Sequence, residues 1–186
     1  ANYQRSAKFK RYIPILANSR EGAVRQAFAD SLHLLPSEQA QSLLTRLRVD
    51  RDPQVRAAIF ANPARVIDTV GAKALAAHLL RIFTHEDDEF VLRIALDAAA
   101  GSVQALHQMS AQELGDLAAS LADGLDQLQS RGTSPKVQRW LDEARERIWL
   151  YQDTAALEIA GELGDICDGQ LEGAKRRARS LRVYLQ

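Results

Sequence analysis

One short pattern recurs along the chain and constrains its fold more than any other feature. It reads REGAVRQAFAD from Arg20, RDPQVRAAIFA from Arg51, DDEFVLRIALD from Asp87 and TSPKVQRWLDE from Thr133. Val24, Val55, Leu92 and Val137 superpose when the third segment is adjusted by one residue, and the next position then reads Arg25, Arg56, Arg93 and Gln138. The anchors lie 31, 37 and 45 residues apart. A period of that size fits a pair of helices with their two turns. The unequal spacing implies related units carrying insertions.

The segments open as helices open. Asp52-Pro53 and Ser134-Pro135 each place an N-cap oxygen before a proline, which has no N–H to leave unpaired in the first turn. Val55, Ala58 and Ile59, like Val24, Ala27 and Phe28, recur at helical spacing and are expected to face a core. Asn62-Pro63 is expected to close the second helix, with Asn62 as a left-handed terminus. Beyond it, Ala74, Leu75, His78, Leu79 and Ile82 form an apolar face broken by the histidine. Ser110 to Glu113 has capping-box spacing, and Leu114, Leu117, Leu121, Leu125 and Leu128 predict the longest helix. Two further helices are expected near 153–163 and 170–184. With aromatics at only 6% and alanine and leucine abundant, strands are disfavoured. The fold class is all-α.

The pattern resembles the HEAT-repeat family of α-solenoids and its short bacterial variants. The carrying residues are Asp50, Asp52, Pro53, Val55 and Arg56, with valine–arginine again at Val24–Arg25 and leucine–arginine at Leu92–Arg93. The resemblance implies a right-handed superhelix of about four to five helical hairpins. It also implies a ladder between successive repeats, with acids at Asp50 and Asp87 and arginines at Arg25, Arg56 and Arg93. Ser19 and Gly132 stand where the family has the acid, and Gln138 where it has the arginine, so the ladder is partial. The match covers residues 20–150 of a single 1–186 domain; 151–186 is a basic helical continuation. Position 1 is alanine, which is read either as a processed chain or, in preference, as a fragment of a larger protein.

Local catalytic signatures are absent: there is no phosphate-binding glycine loop, nucleophile elbow or H-E-x-x-H pair. No catalytic residue, metal ligand set or cofactor is assigned. The His85-Glu86-Asp87-Asp88-Glu89 run reads as a helix start favoured by the dipole rather than as a cation site. Cys167 lies between acids that disfavour a thiolate, and one cysteine fits a reducing, cytoplasmic setting. No run approaches the eighteen or so apolar residues of a membrane span.

Function is therefore expected in binding. The first expectation is a scaffold that recognises another protein, with Trp149 as a candidate contact and Trp140 in the core; self-association through uncapped ends is a further expectation. The alternative is nucleic-acid binding through Lys8, Lys10 and Arg11 with Lys175, Arg176, Arg177, Arg179 and Arg182, which would hold phosphates by charge. An enzyme like the HEAT-like DNA glycosylases ranks third. Net charge is zero, and residues 84–130 are strongly acidic, which opposes a polyanion.

Overall fold

The computed structural model describes residues 11–104 and 111–149, and the regular structure within them is entirely helical. In chain order the helices are α1 (Ile13–Ala17), α2 (Gly22–Asp30), a 3-10 turn (Leu32–Leu34), α3 (Ser37–Leu47), α4 (Pro53–Ala58) and α5 (Pro63–Val70). They continue as α6 (Ala72–His85), α7 (Glu89–Gln104), α8 (Ala111–Ser130) and α9, which covers 135–149 of the described chain.

Their starts follow from cap chemistry. Asp52 is extended, and its Oδ1 accepts from the Gln54 amide at 3.0 Å. Asp88 does the same for Phe90 and Val91 at 2.9 and 3.2 Å, and the Ser134 hydroxyl accepts from Val137 at 3.3 Å. Asn62 departs from expectation. It is not left-handed, with φ −136°, and it opens α5 instead of closing α4, its side chain accepting from the Arg65 amide at 3.2 Å. Pro63 holds the residue before it out of the helical region, which suits an N-cap. The chain leaving α4 closes through short bonds, Phe60 N to Ala57 O at 2.9 Å and Ala61 N to Ala58 O at 3.3 Å. Between α5 and α6, Gly71 turns the chain at φ +89°, a backbone that a side chain would oppose.

The helices share one core through a series of pairwise contacts. α2 packs on α4 and α4 on α7, α6 packs along α8 and on α7, and α5 sits against α3, α6 and α7. Val55, Leu75, Leu79, Phe83, Val91 and Leu128 are among the fully buried side chains. The leucine stripe of α8 faces inward at Leu117, Leu121, Leu125 and Leu128, and α8 lies close enough to α6 that a Cβ on Gly124 would stand 3.0 Å from Phe83 Cδ2. In α2 the inward face differs from expectation: Phe28 is buried, but Val24 is half-buried and Ala27 exposed, and Arg25 takes an inward place at 6% exposure. The reason is the partner that Arg25 finds there. Ser110 of the expected capping box and the two expected helices beyond residue 150 lie outside the described residues.

Candidate binding surface

Two arginines tie successive units together in the same way. Arg25 reaches from α2 to the loop before α4, with Nε 2.7 Å from Asp50 Oδ2 and Nη2 2.8 Å from Oδ1, while Nη1 donates to the Ser19 carbonyl at 2.8 Å. Arg56 repeats this from α4, with Nε 2.7 Å and Nη2 3.0 Å from the Glu86 oxygens and Nη1 2.7 Å from the Asp50 carbonyl. Each arginine thus holds the carbonyl six residues behind it and the carboxylate of the next unit. Forked geometry of this kind is a strong form of ion pair. The side chains are 7% and 11% exposed in the first rung and 16% and 9% in the second. Hydrogen bonding to Asp50 raises the Arg25 pKa above its ordinary value, and hydrogen bonding to Glu86 does the same for Arg56. Burial alone would raise the Asp50 carboxyl, but bonds from Arg25 and the Asp52 amide, with the charges of Arg25 and Arg51, bring it below its ordinary value.

The second rung corrects the register of the third segment. Glu86, not Asp87, receives Arg56, and Asp88 occupies the capping place of Asp52. Val91 therefore corresponds to Val55 without adjustment, 36 residues on, and Leu92 stands where Arg56 stood. The longer glutamate spans the distance that aspartate covers in the first rung. Asp87 points elsewhere and pairs with Arg131, whose Nη1 also donates to the Phe83 carbonyl at 2.8 Å. Arg93 is not a rung: it pairs with Asp97 at 3.0 Å and Glu143 at 2.9 Å and lies 5.3 Å from the Trp140 ring centroid. Glu89 accepts from Ser134 at 2.7 Å and from Lys136 at 3.2 Å, which lowers its pKa through those two bonds. The acidic run is consumed by caps and pairs. Among the described residues no group of His, Cys, Asp and Glu could hold a metal ion.

A further feature went unread in the sequence. Beside the second rung lies a cavity of about 280 Å³ lined by Arg48, Arg81 and His85 along with Asp50, Arg56 and Glu86. His78, Arg81 and His85 share one face of α6 by their spacing. Arg48 arrives from the end of α3, its Nη1 3.1 Å from His78 Nδ1. A guanidinium can only donate, so His78 accepts at Nδ1. Burial first, and then the charges of Arg48 and Arg81, push His78 down to about 4. The α6 spacing was available in the sequence; the arrival of Arg48 from thirty residues away had no local signal.

Among the other predicted contacts, Arg11 is exposed, and Trp149, the last described residue of α9, is 51% exposed. Trp140 is partly buried against the core, with Lys136 on its ring at 4.9 Å. Lys8, Lys10, Lys175, Arg176, Arg177, Arg179 and Arg182 lie outside the described residues. No helix among the described residues is long and apolar enough to cross a membrane. No family model, curated protein or solved structure matches the chain.

Proposed function

We propose that the chain is a HEAT-like repeat scaffold that binds another protein. The repeated rung carries this reading: Arg25 with Asp50 and Arg56 with Glu86 use the same three guanidinium nitrogens on equivalent atoms of successive units. Such a device fixes how one helical pair sits on the next, which is the geometry that builds an extended recognition surface. The successive packing of α2 on α4 and of α4 on α7 supports the same reading. The absence of a local catalytic motif directs function toward binding, although fold alone never establishes function.

The test is capture of a protein partner on the immobilised chain, with Arg56→Met as the comparison. A partner retained by the chain and lost when the rung is removed supports a surface built by repeat stacking; one retained equally by an unrelated helical protein defeats it. Nucleic-acid binding is checked in parallel by anisotropy of labelled duplex DNA and single-stranded RNA. A phosphate-driven complex weakens steeply between about 50 and 200 mM salt.

A further inference from the structure

The charges around the cavity between the ends of α3 and α6 do not balance. Its two acids are already engaged, Asp50 by Arg25 and Glu86 by Arg56, each through two guanidinium nitrogens. Two lining cations remain. Among the described residues the one hydrogen-bond partner of Arg48 is His78, which at neutral pH is uncharged and offers a lone pair but no charge. Arg81 forms no hydrogen bond or ion pair among the described residues. Burial and the Arg81 charge both lower the Arg48 pKa, with no carboxylate acting in the other direction. Other arginines without an acid partner among the described residues, such as Arg46 on Asn18 and Arg65 on His33, line no cavity with a second unpaired guanidinium; Arg48 and Arg81 share one.

We propose that this cavity is a binding site for a dianionic, phosphate-type oxyanion, held by the guanidinium groups of Arg48 and Arg81 with His85 at its edge. Two uncompensated guanidiniums match a dianion in charge, and guanidinium forks match the oxygens of a phosphate in geometry. The volume of about 280 Å³ admits such a group with water around it. His78 has a positioning role. Accepting from Nη1, it holds Arg48 on the cavity side and leaves the remaining donors of that guanidinium for the ligand. The site lies beside the second rung and does not depend on the scaffold reading.

The competing role for these arginines is purely structural: cations near helix C-termini offset the dipole. The two roles predict opposite signs for Arg81→Gln, which strands no partner among the described residues. In phosphate-free buffer at low salt, Arg81→Gln should raise the melting temperature by relieving the repulsion on Arg48; a dipole role requires it to fall. Inorganic phosphate, titrated by calorimetry at constant ionic strength against a chloride control, should bind saturably. Arg81→Gln and Arg48→Gln should each weaken that binding at least about tenfold, the worth of a charge-assisted hydrogen bond. Arg65→Gln, at the exposed Arg65–His33 contact, should leave it unchanged. A phosphoserine peptide titrated in parallel identifies the source: tighter binding than inorganic phosphate assigns a phosphorylated side chain, and equal or weaker binding assigns a free oxyanion. Phosphate that binds no better than chloride, or whose binding ignores Arg81→Gln, overturns the proposal.

Discussion

Residues 19–88 and residues 89–149 are joined to their neighbours by different means. In the first stretch, two nearly buried arginine–carboxylate forks bridge consecutive units. In the second, the ion pairs are more open to solvent, with side-chain exposures of 34% and 51% for Arg93–Glu143 and 25% and 75% for Arg145–Asp126, and α8 is held by hydrocarbon, its leucines packing back on α6 of the first stretch. Short helices explain the contrast. The fork-bearing α2 and α4 have nine and six residues, whereas α8 has 20. A two-turn helix offers little apolar surface, so a buried polar fork specifies how it seats. A long helix with a leucine stripe has no need of one.

The largest effect that separates the two modes should come from Asp50→Ala. It leaves Arg25 buried without its partner, which costs about 3–5 kcal/mol, read as a lower urea midpoint. Asp87→Ala removes the 91%-exposed partner of Arg131 and should cost less than about 1 kcal/mol. Equal losses would dissolve the distinction between rung and surface pair. The paired replacement of Arg25 by Met and Asp50 by Leu should recover most of the loss, since a buried ion pair exchanges for hydrocarbon at little net cost.

That experiment also marks how far the sequence could be read. Asp50, Arg25 and Arg56 were legible because a pattern at fixed spacing carried them. Glu86 was missed because four acidic side chains follow one another from Glu86 to Glu89, and only the backbone decides which turns toward Arg56. The caps at Asp52, Asp88 and Ser134 are local chemistry and were readable as such or close to it; Asn62 was assigned to the wrong side of its turn because asparagine suits both a helix end and a helix start. The juxtaposition of Arg48 and Arg81 at one cavity was illegible, since it depends on which α3 residue stands opposite which α6 residue.

Histidine protonation should bear on the first stretch. Folded His78 titrates near 4, below the roughly 6.5 of an unfolded chain. The unfolded state therefore binds the extra proton throughout that window, and stability falls as pH drops from about 6.5 toward about 4. Allowing for partial exposure, the loss should be about 1–2 kcal/mol. His78→Gln should remove that part of the pH slope in urea titrations at fixed pH. An unchanged slope would show that His78 is not the residue refusing the proton. The Asp50 contribution lies in a lower window, present above the ordinary carboxylate range and lost only as pH falls through the depressed folded value.

Gly124→Ala should sharpen the other side. Alanine favours a helix interior by about 1 kcal/mol, yet its Cβ would stand 3.0 Å from Phe83 Cδ2 and 3.3 Å from Leu80 Cδ1. Phe83 is fully buried and cannot swing aside, so overpacking of about 1–3 kcal/mol should prevail. A net loss of about 1 kcal/mol in thermal or urea unfolding is expected. A gain would mean that α6 and α8 slide past each other without cost, which tight hydrocarbon packing forbids.

The smallest effect is the most exacting test of the contrast. Arg145 meets Asp126 and the Gln129 side chain at the α8–α9 contact, and Asp126 is 75% exposed. Water and salt screen such a pair, and its side chains lose entropy in holding it. Asp126→Asn should therefore cost no more than about 0.5 kcal/mol, and the cost should vanish at 1 M salt, where screening acts within about 3 Å. The first rung should keep its worth at that salt because its charges are shielded by protein rather than by ions. If both losses persisted equally, burial would not be what divides the two stretches, and the α8–α9 contact would have to be counted as a third rung.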